Sequence, residues 1–287
     1  MQPSAVTPYG SALLKFASAT RLIWLGHAAF QLGIPSMITD PWFLAAAVPA
    51  VLLVGLSKGG FGGPIGLLGV PLLALVVPPV QAAGIMLPIL IAMDVVGLVS
   101  YRGVYHWGSL RVLLPAAVGG IAIGWLTAAY VTDAHVRLIV GSIALLFALD
   151  YYLGGAKRLE PRTPPASQGW LWGAVSGFTS FVSHAGGPPF SMYMLPQRLD
   201  PKLLAGTAVI FFTVVNQVKL VPYFMLGQFS GENLWTSAAL LPLAVVATLT
   251  GVWLVRRIEP ALFYRFVYAA VLVVALKLIW DGLRAIF

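Results

Sequence analysis

Two breaks in apolar sequence constrain this chain more than anything else in it. The first is Ser57-Lys58-Gly59-Gly60-Phe61-Gly62-Gly63-Pro64, the second Ser183-His184-Ala185-Gly186-Gly187-Pro188. A bilayer offers no hydrogen bonds to free backbone N–H and C=O groups, so irregular backbone at membrane depth survives only where it lines a protein cavity. A pair of interrupted apolar segments at matching positions in two halves points to a transporter's binding site.

Composition makes the membrane the solvent. Of 287 residues, 59% are hydrophobic and 9% charged, where a soluble domain carries roughly 25% charged residues. Apolar runs of about 20 residues, the length of a crossing helix, recur throughout. Barrel strands alternate apolar and polar residues, so these continuous runs exclude an outer-membrane barrel. The formal charge of +8 sits in loops, where it orients a membrane protein; with no basic-aromatic stripe outside the spans, no nucleic-acid partner is expected. The absence of cysteine removes disulfides, thiolate metal sites and Cys nucleophiles. His27, His106, His135 and His184 have no metal-ligand spacing, so neither a metal nor a cofactor is expected.

Residues 1–42 differ from the remainder. Thr20–Leu32 with Ile38-Thr39-Asp40-Pro41-Trp42 resembles the opening strands of small metallo-β-lactamase-fold hydrolases, but the H-x-H-x-D-H metal cluster is absent. The stretch reads as a fusion remnant, a mis-called start or an amphipathic surface segment, and is assigned no function. From Phe43 onward two repeats are expected, at 43–153 and 169–287, joined by a polar, proline-rich cytoplasmic linker at 154–168. Their punctuation agrees in order: Gly62-Gly63-Pro64 with Gly186-Gly187-Pro188, Ala83-Gly84 with Ala205-Gly206, Asp94 with Asn216, Pro115 with Pro242, Gly124 with Gly251, Arg137 with Arg265.

In each repeat the first element is cut into pieces too short to cross at 1.5 Å per residue, and three longer helices follow. Loop charge decides whether the pieces form a returning hairpin or one broken crossing. If they return, Arg102, Arg111, Lys157, Arg158, Arg162, Arg198, Lys202, Arg256 and Arg257 share one face, and the opposite short loops carry no Lys or Arg. The positive-inside rule prefers this arrangement. The expected fold is therefore all-α: a polytopic membrane protein of two inverted repeats, each a broken helical hairpin plus three transmembrane helices.

Each break ends in Gly-Gly-Pro and resumes a helix, with proline suited to the first helical position. Helix N-termini attract anions, so two such tips meeting near the midplane make an anion site. The expected substrate-binding residues are Lys58, Ser57, Gly62, Gly63, Gly186, Gly187, Ser183, His184 and Asn216. An ionisable group inside the membrane is a functional candidate by default; Asp94 and His184 are the candidates for coupling. Asp94 also suits a structural ion pair with Lys58 or Lys219, and for Lys219 the structural role is favoured. The Trp and Tyr near span ends read as interface anchors.

The paired glycine-rich breaks with their prolines, the Ala-Gly pair opening the next span and the duplication resemble the sulfite exporter TauE/SafE family from Phe43 to the C-terminus. Phe181-Val182-Ser183-His184-Ala185 departs from its usual glycine richness. The resemblance implies transport of sulfite, sulfonates or sulfoacetate, coupled to a proton gradient. The residues themselves lead to a secondary carrier of small anions in the cell (inner) membrane; the resemblance implies an exporter. No P-loop is present, so an ion gradient or a partner supplies the energy. The partners expected are a small anionic substrate and the lipid bilayer, with a homodimer left open. A passive anion channel on the same frame is the alternative. An enzyme built on Ser183 and His184 is not expected, since no Gly-x-Ser-x-Gly elbow exists.

Overall fold

The computed structural model describes residues 38, 40–61, 65–127, 133–153, 161–225, 227 and 229–286. The chain divides into two compact units, Met1–Met37 and Ile38–Phe287. The first lies outside the described residues, together with the hydrolase-like stretch Thr20–Leu32.

Among the described residues the second unit is built of helices joined by short turns, with no strand. Its first half runs α1 (Pro41–Leu56), a wide turn at Ser57–Phe61, a 3-10 turn at Ile65–Leu68, α2 (Gly69–Leu73), α3 (Pro79–Ser100), α4 (Trp107–Thr127) and α5 (Asp133–Leu153). The second half runs α6 (Ala166–Ser183), α7 (Gly187–Met194), a 3-10 turn at Leu195–Gln197, α8 (Pro201–Met225), α9 (Gly231–Val255) and α10 (Pro260–Ile286). Prolines open α1, α3, α8 and α10, where the missing N–H would go unpaired anyway. Asp40 caps α1 by accepting from the Phe43 N–H at 3.0 Å, so the helix already includes Pro41 and Trp42. Likewise α6 begins at Ala166, inside the stretch read as linker.

Six helical segments are long and apolar enough to cross a membrane: Pro41–Phe61, Gln81–Ser100, Trp107–Thr127, Pro201–Met225, Gly231–Val255 and Pro260–Ile286. The molecule is an all-α polytopic membrane protein. Leu126, Phe224, Val246 and Val273 are all exposed on its outside, as lipid-facing positions should be.

Both interrupted elements return. In the first, Gly66 lies beside Ser57 and Gly69 against Val54, so the chain runs back along α1. In the second, Gly186 lies against Ser176 and Ser180 while Tyr193 reaches Gly169. The Arg162 N–H donates to the Pro196 carbonyl at 3.0 Å, which closes that hairpin at its open end.

The packing between halves is reciprocal. α1 of the first half lies along α9 of the second, with Gly59 against Gly251 and Gly60 against Val255. α6 of the second half lies along α4 of the first, with Gly173 against Leu113 and Gly177 against Ala117. α3 and α8 hold the same place in their halves and pack antiparallel, since Asp94 meets Asn216 while Gly97 meets Val209. α5 and α10 do the same: Arg137 approaches Asp281 at 3.9 Å, and Tyr151 stacks on Tyr268 at 3.6 Å.

One end of the bundle collects the basic loops. The Arg256 guanidinium donates to the Ser100 carbonyl at 2.6 Å, and the His106 N–H donates to the Thr207 hydroxyl at 2.8 Å. The Arg198 guanidinium lies over the rings of Tyr151, Tyr264 and Tyr268. At the other end the Ile38 N–H meets the Thr236 hydroxyl, and the Gln81 amide meets Asn233.

Candidate functional site

The two breaks reach one cavity. It encloses about 60 Å³, and its polar lining is Ser57, Lys58, Asp94, Ser180, His184, Asn216 and Lys219. Val54, Val70, Met86, Leu90, Met93 and Phe212 form its apolar walls. A water needs about 10–15 Å³ of such space, so the cavity suits a small polyatomic solute.

α1 has 16 residues and so is about 24 Å long, against a hydrocarbon core of about 30 Å. The cavity lies where the two hairpins meet, lined by Ser57, Lys58 and Gly66 of the first and by Ser180, His184 and Gly187 of the second. Where the backbone leaves the helix, protein groups replace water. The Tyr101 hydroxyl donates to the Gly59 carbonyl at 2.6 Å. Ser176 donates to the Gly186 carbonyl at 2.7 Å, and Thr179 to the Ala185 carbonyl at 3.0 Å. The Ala185 N–H returns to the Thr179 carbonyl, a closure usually built around a left-handed glycine. Here His184 holds that conformation, at φ 53° and ψ 23°. A side chain in this region costs roughly 1–3 kcal/mol and recurs at functional sites. At this position it delivers an imidazole to the cavity wall.

Two hydrogen-bonded groups result. In the first, the Lys58 ammonium pairs with Asp94 Oδ1, and the Asn216 amide donates to Asp94 Oδ2 at 2.7 Å. In the second, Lys219 Nζ lies 3.2 Å from each of the Ser180 carbonyl, Ser180 Oγ and His184 Nδ1, which occupies all three of its N–H bonds. An ammonium can only donate, so Nδ1 accepts and Nε2 carries the ring proton. Nε2 faces the Tyr223 hydroxyl at 3.0 Å.

The inventory of donors is unequal. Lys219 is saturated. Lys58 has three N–H bonds and one partner among the described residues. Ser57 Oγ is fully buried on the cavity wall and has no partner among them. A buried polar group left unpaired costs about 1–3 kcal/mol, so its presence asks for a ligand.

Of the residues singled out in the sequence, Ser57, Lys58, Asp94, His184, Gly187 and Asn216 line this cavity together. Gly186 sits behind it against Ser176 and Ser180. Ser183 ends α6, and Gly62 and Gly63 lie outside the described residues. The picture of two helix tips needs revision. After the first break the chain makes a 3-10 turn and then a five-residue helix, too short to carry much dipole. After the second, Pro188 and Pro189 come directly after Gly187, and proline has no N–H to offer an anion. Side chains outweigh helix ends here. Lys219, for which the sequence favours a structural role, stands on the cavity wall; its signal is a lysine deep in an apolar helix. Ser180 and Tyr223 give none, since hydroxyl side chains are ordinary in membrane helices.

The sequence profile of the family described as "Sulfite exporter TauE/SafE" matches residues 47–278, most of the chain. The chain belongs to this family. TauE/SafE membership and the six apolar helices together make it a multi-pass membrane transporter. The match begins inside α1 and ends inside α10, so both breaks and every cavity residue of this TauE/SafE chain fall within it. Comparison with curated proteins and with solved structures finds no match.

Proposed function

We propose that this protein is a secondary transporter of small anions, with sulfite or an organosulfonate as substrate and export as its direction. One observation carries the reading: the buried, unpaired Ser57 hydroxyl stands beside a lysine whose donors are mostly unfilled, on the wall of a cavity that both hairpins enter. An anion seated there accepts from Lys58 Nζ and Ser57 Oγ. Lys219 adds positive charge from the opposite wall, giving two ammonium groups to one carboxylate. The family supplies the sulfur chemistry; the donors supply the preference for an anion.

The halves are read as inverted repeats. Helices at the same place in the two halves pack antiparallel, and each hairpin packs on the other half in the same way. Inverted repeats support alternating access by rocking one half against the other around a fixed site. By the positive-inside rule the basic end faces the cytoplasm, and the cell membrane is the proposed location.

Counterflow in proteoliposomes tests this reading. Preloaded unlabelled sulfite or methanesulfonate should accelerate uptake of the labelled anion, while a neutral solute such as glycerol should not exchange. Flux without exchange acceleration would indicate a passive channel, and no anion flux at all would reject the assignment.

A further inference from the structure

We propose that the Asp94 carboxylate is a tethered stand-in for the transported anion: it holds Lys58 while the site is empty and gives Lys58 up only on taking a proton. This rests on the anion reading above and assigns its coupling step.

Asp94 is 2% exposed and is the one carboxylate among the described residues lining the cavity. One of its oxygens takes the Lys58 ammonium, the group best placed to hold a substrate anion. An anion can take the spare N–H bonds, but Lys58 carries a single positive charge, so the substrate and Asp94 compete for the same cation. An anion that takes Lys58 leaves the Asp94 carboxylate with the Asn216 amide alone, since the Lys219 ammonium is already held by Ser180 and His184, and a buried carboxylate without a direct ionic partner is costly. A proton on Asp94 cancels that charge. It comes from the aqueous phase to which the cavity opens and forms an O–H bond on Oδ1. Lys58 then exchanges the carboxylate oxygen for an anion oxygen, while Oδ2 keeps the Asn216 amide. Release reverses each step. One proton and one anion enter together, so the empty and loaded cavities carry the same net charge and meet a similar electrostatic barrier.

The other titratable groups around the cavity are already committed. Lys219 uses all three donors. His184 accepts from Lys219 at Nδ1 and faces Tyr223 through Nε2, so a second ring proton would point at the ammonium. Tyr223 is held between His184 and the Phe181 carbonyl.

The test is equilibrium binding of methanesulfonate, whose charge is fixed across the neutral range, to the purified full chain at a series of pH values. Wild type should bind more tightly as pH falls. Where Asp94 is ionised, one linked proton makes Kd rise about tenfold per pH unit. An indicator dye in weak buffer should show one proton taken up per anion bound. Asp94→Asn should bind at every pH with the low-pH affinity of wild type and take up no proton, and Asp94→Glu should restore the slope. Weaker binding in Asp94→Asn, a pH slope that survives in it, or no proton uptake by wild type overturns the proposal. If Asp94→Asn does not fold, the wild-type proton count decides. Lys58→Ala separates the two claims: loss of binding there without proton uptake in wild type removes the tethered carboxylate alone. Equal binding in wild type and Lys58→Ala, or no binding of methanesulfonate or sulfite by wild type, removes the anion site as well.

Discussion

Lys58 and Lys219 share one cavity, yet their hydrogen bonds give them different work. Lys219 fastens α8 to the turn after α6 through Ser180 and His184; Lys58 keeps donors to spare. Removing a charged hydrogen-bond donor costs roughly 1.5–3 kcal/mol, so Lys58→Ala should weaken anion binding about tenfold or more, measured by titration calorimetry. Lys202→Ala, exposed at the basic end, is the matched control. Ser176 carries a different burden: its hydroxyl satisfies the Gly186 carbonyl inside the second break. Ser176→Ala should lower stability by about 1–2 kcal/mol, read as a lower thermal midpoint. At this scale the sequence exposes the ionisable residues, because charge in an apolar span announces itself. It does not reveal their pairing. Asp94 suits Lys58 and Lys219 equally until the fold sets α3 against the first break.

At the scale of elements, both hairpins are legible from loop charge and from the glycine-rich breaks, but not from length: the outgoing piece of the first, Pro41–Phe61, is long and apolar enough to cross, contrary to the expectation from its sequence. Their geometry depends on glycines that let backbones touch. A Cβ on Gly177 of α6 would stand 2.0 Å from the Ala117 carbonyl oxygen on α4, whereas one on Gly119 would meet nothing within 4 Å. Gly177→Leu should therefore force α4 and α6 apart at a cost of more than about 3 kcal/mol, seen as loss of monodisperse protein after extraction. Gly119→Ala should be neutral, or gain up to about 1 kcal/mol from helix propensity. The returning arm of each hairpin is not legible. Gly-Gly-Pro reads as a helix start in either half, but only the second starts a helix of eight residues. The first goes into a 3-10 turn against α1, a choice made by packing that no local signal encodes.

For the whole molecule, the duplication in punctuation residues agrees with the reciprocal packing of the two halves. Asp94 and Asn216, matched in sequence, are hydrogen-bonded to each other, which supports the proposed inverted repeat. The chain contains no cysteine, so single introduced thiols report sidedness cleanly. Cysteine at Lys202 should react with impermeant maleimide only from the cytoplasmic side, and cysteine at Glu232 only from the opposite side. Reaction at Lys202 only from outside and at Glu232 only from the cytoplasm would reverse the reading of the basic end, and reaction of both from one side would contradict a crossing by α8.

The central claim is that an anion sits between the two hairpin tips, held by Lys58 and Ser57. Anomalous diffraction from crystals grown with selenate, a heavy oxyanion, tests it most directly. The account predicts a selenium peak in the cavity with oxygens in hydrogen-bond range of Lys58 Nζ and Ser57 Oγ, absent in Lys58→Ala. Selenium peaks confined to the surface arginines, with an empty cavity at saturating selenate, would contradict it.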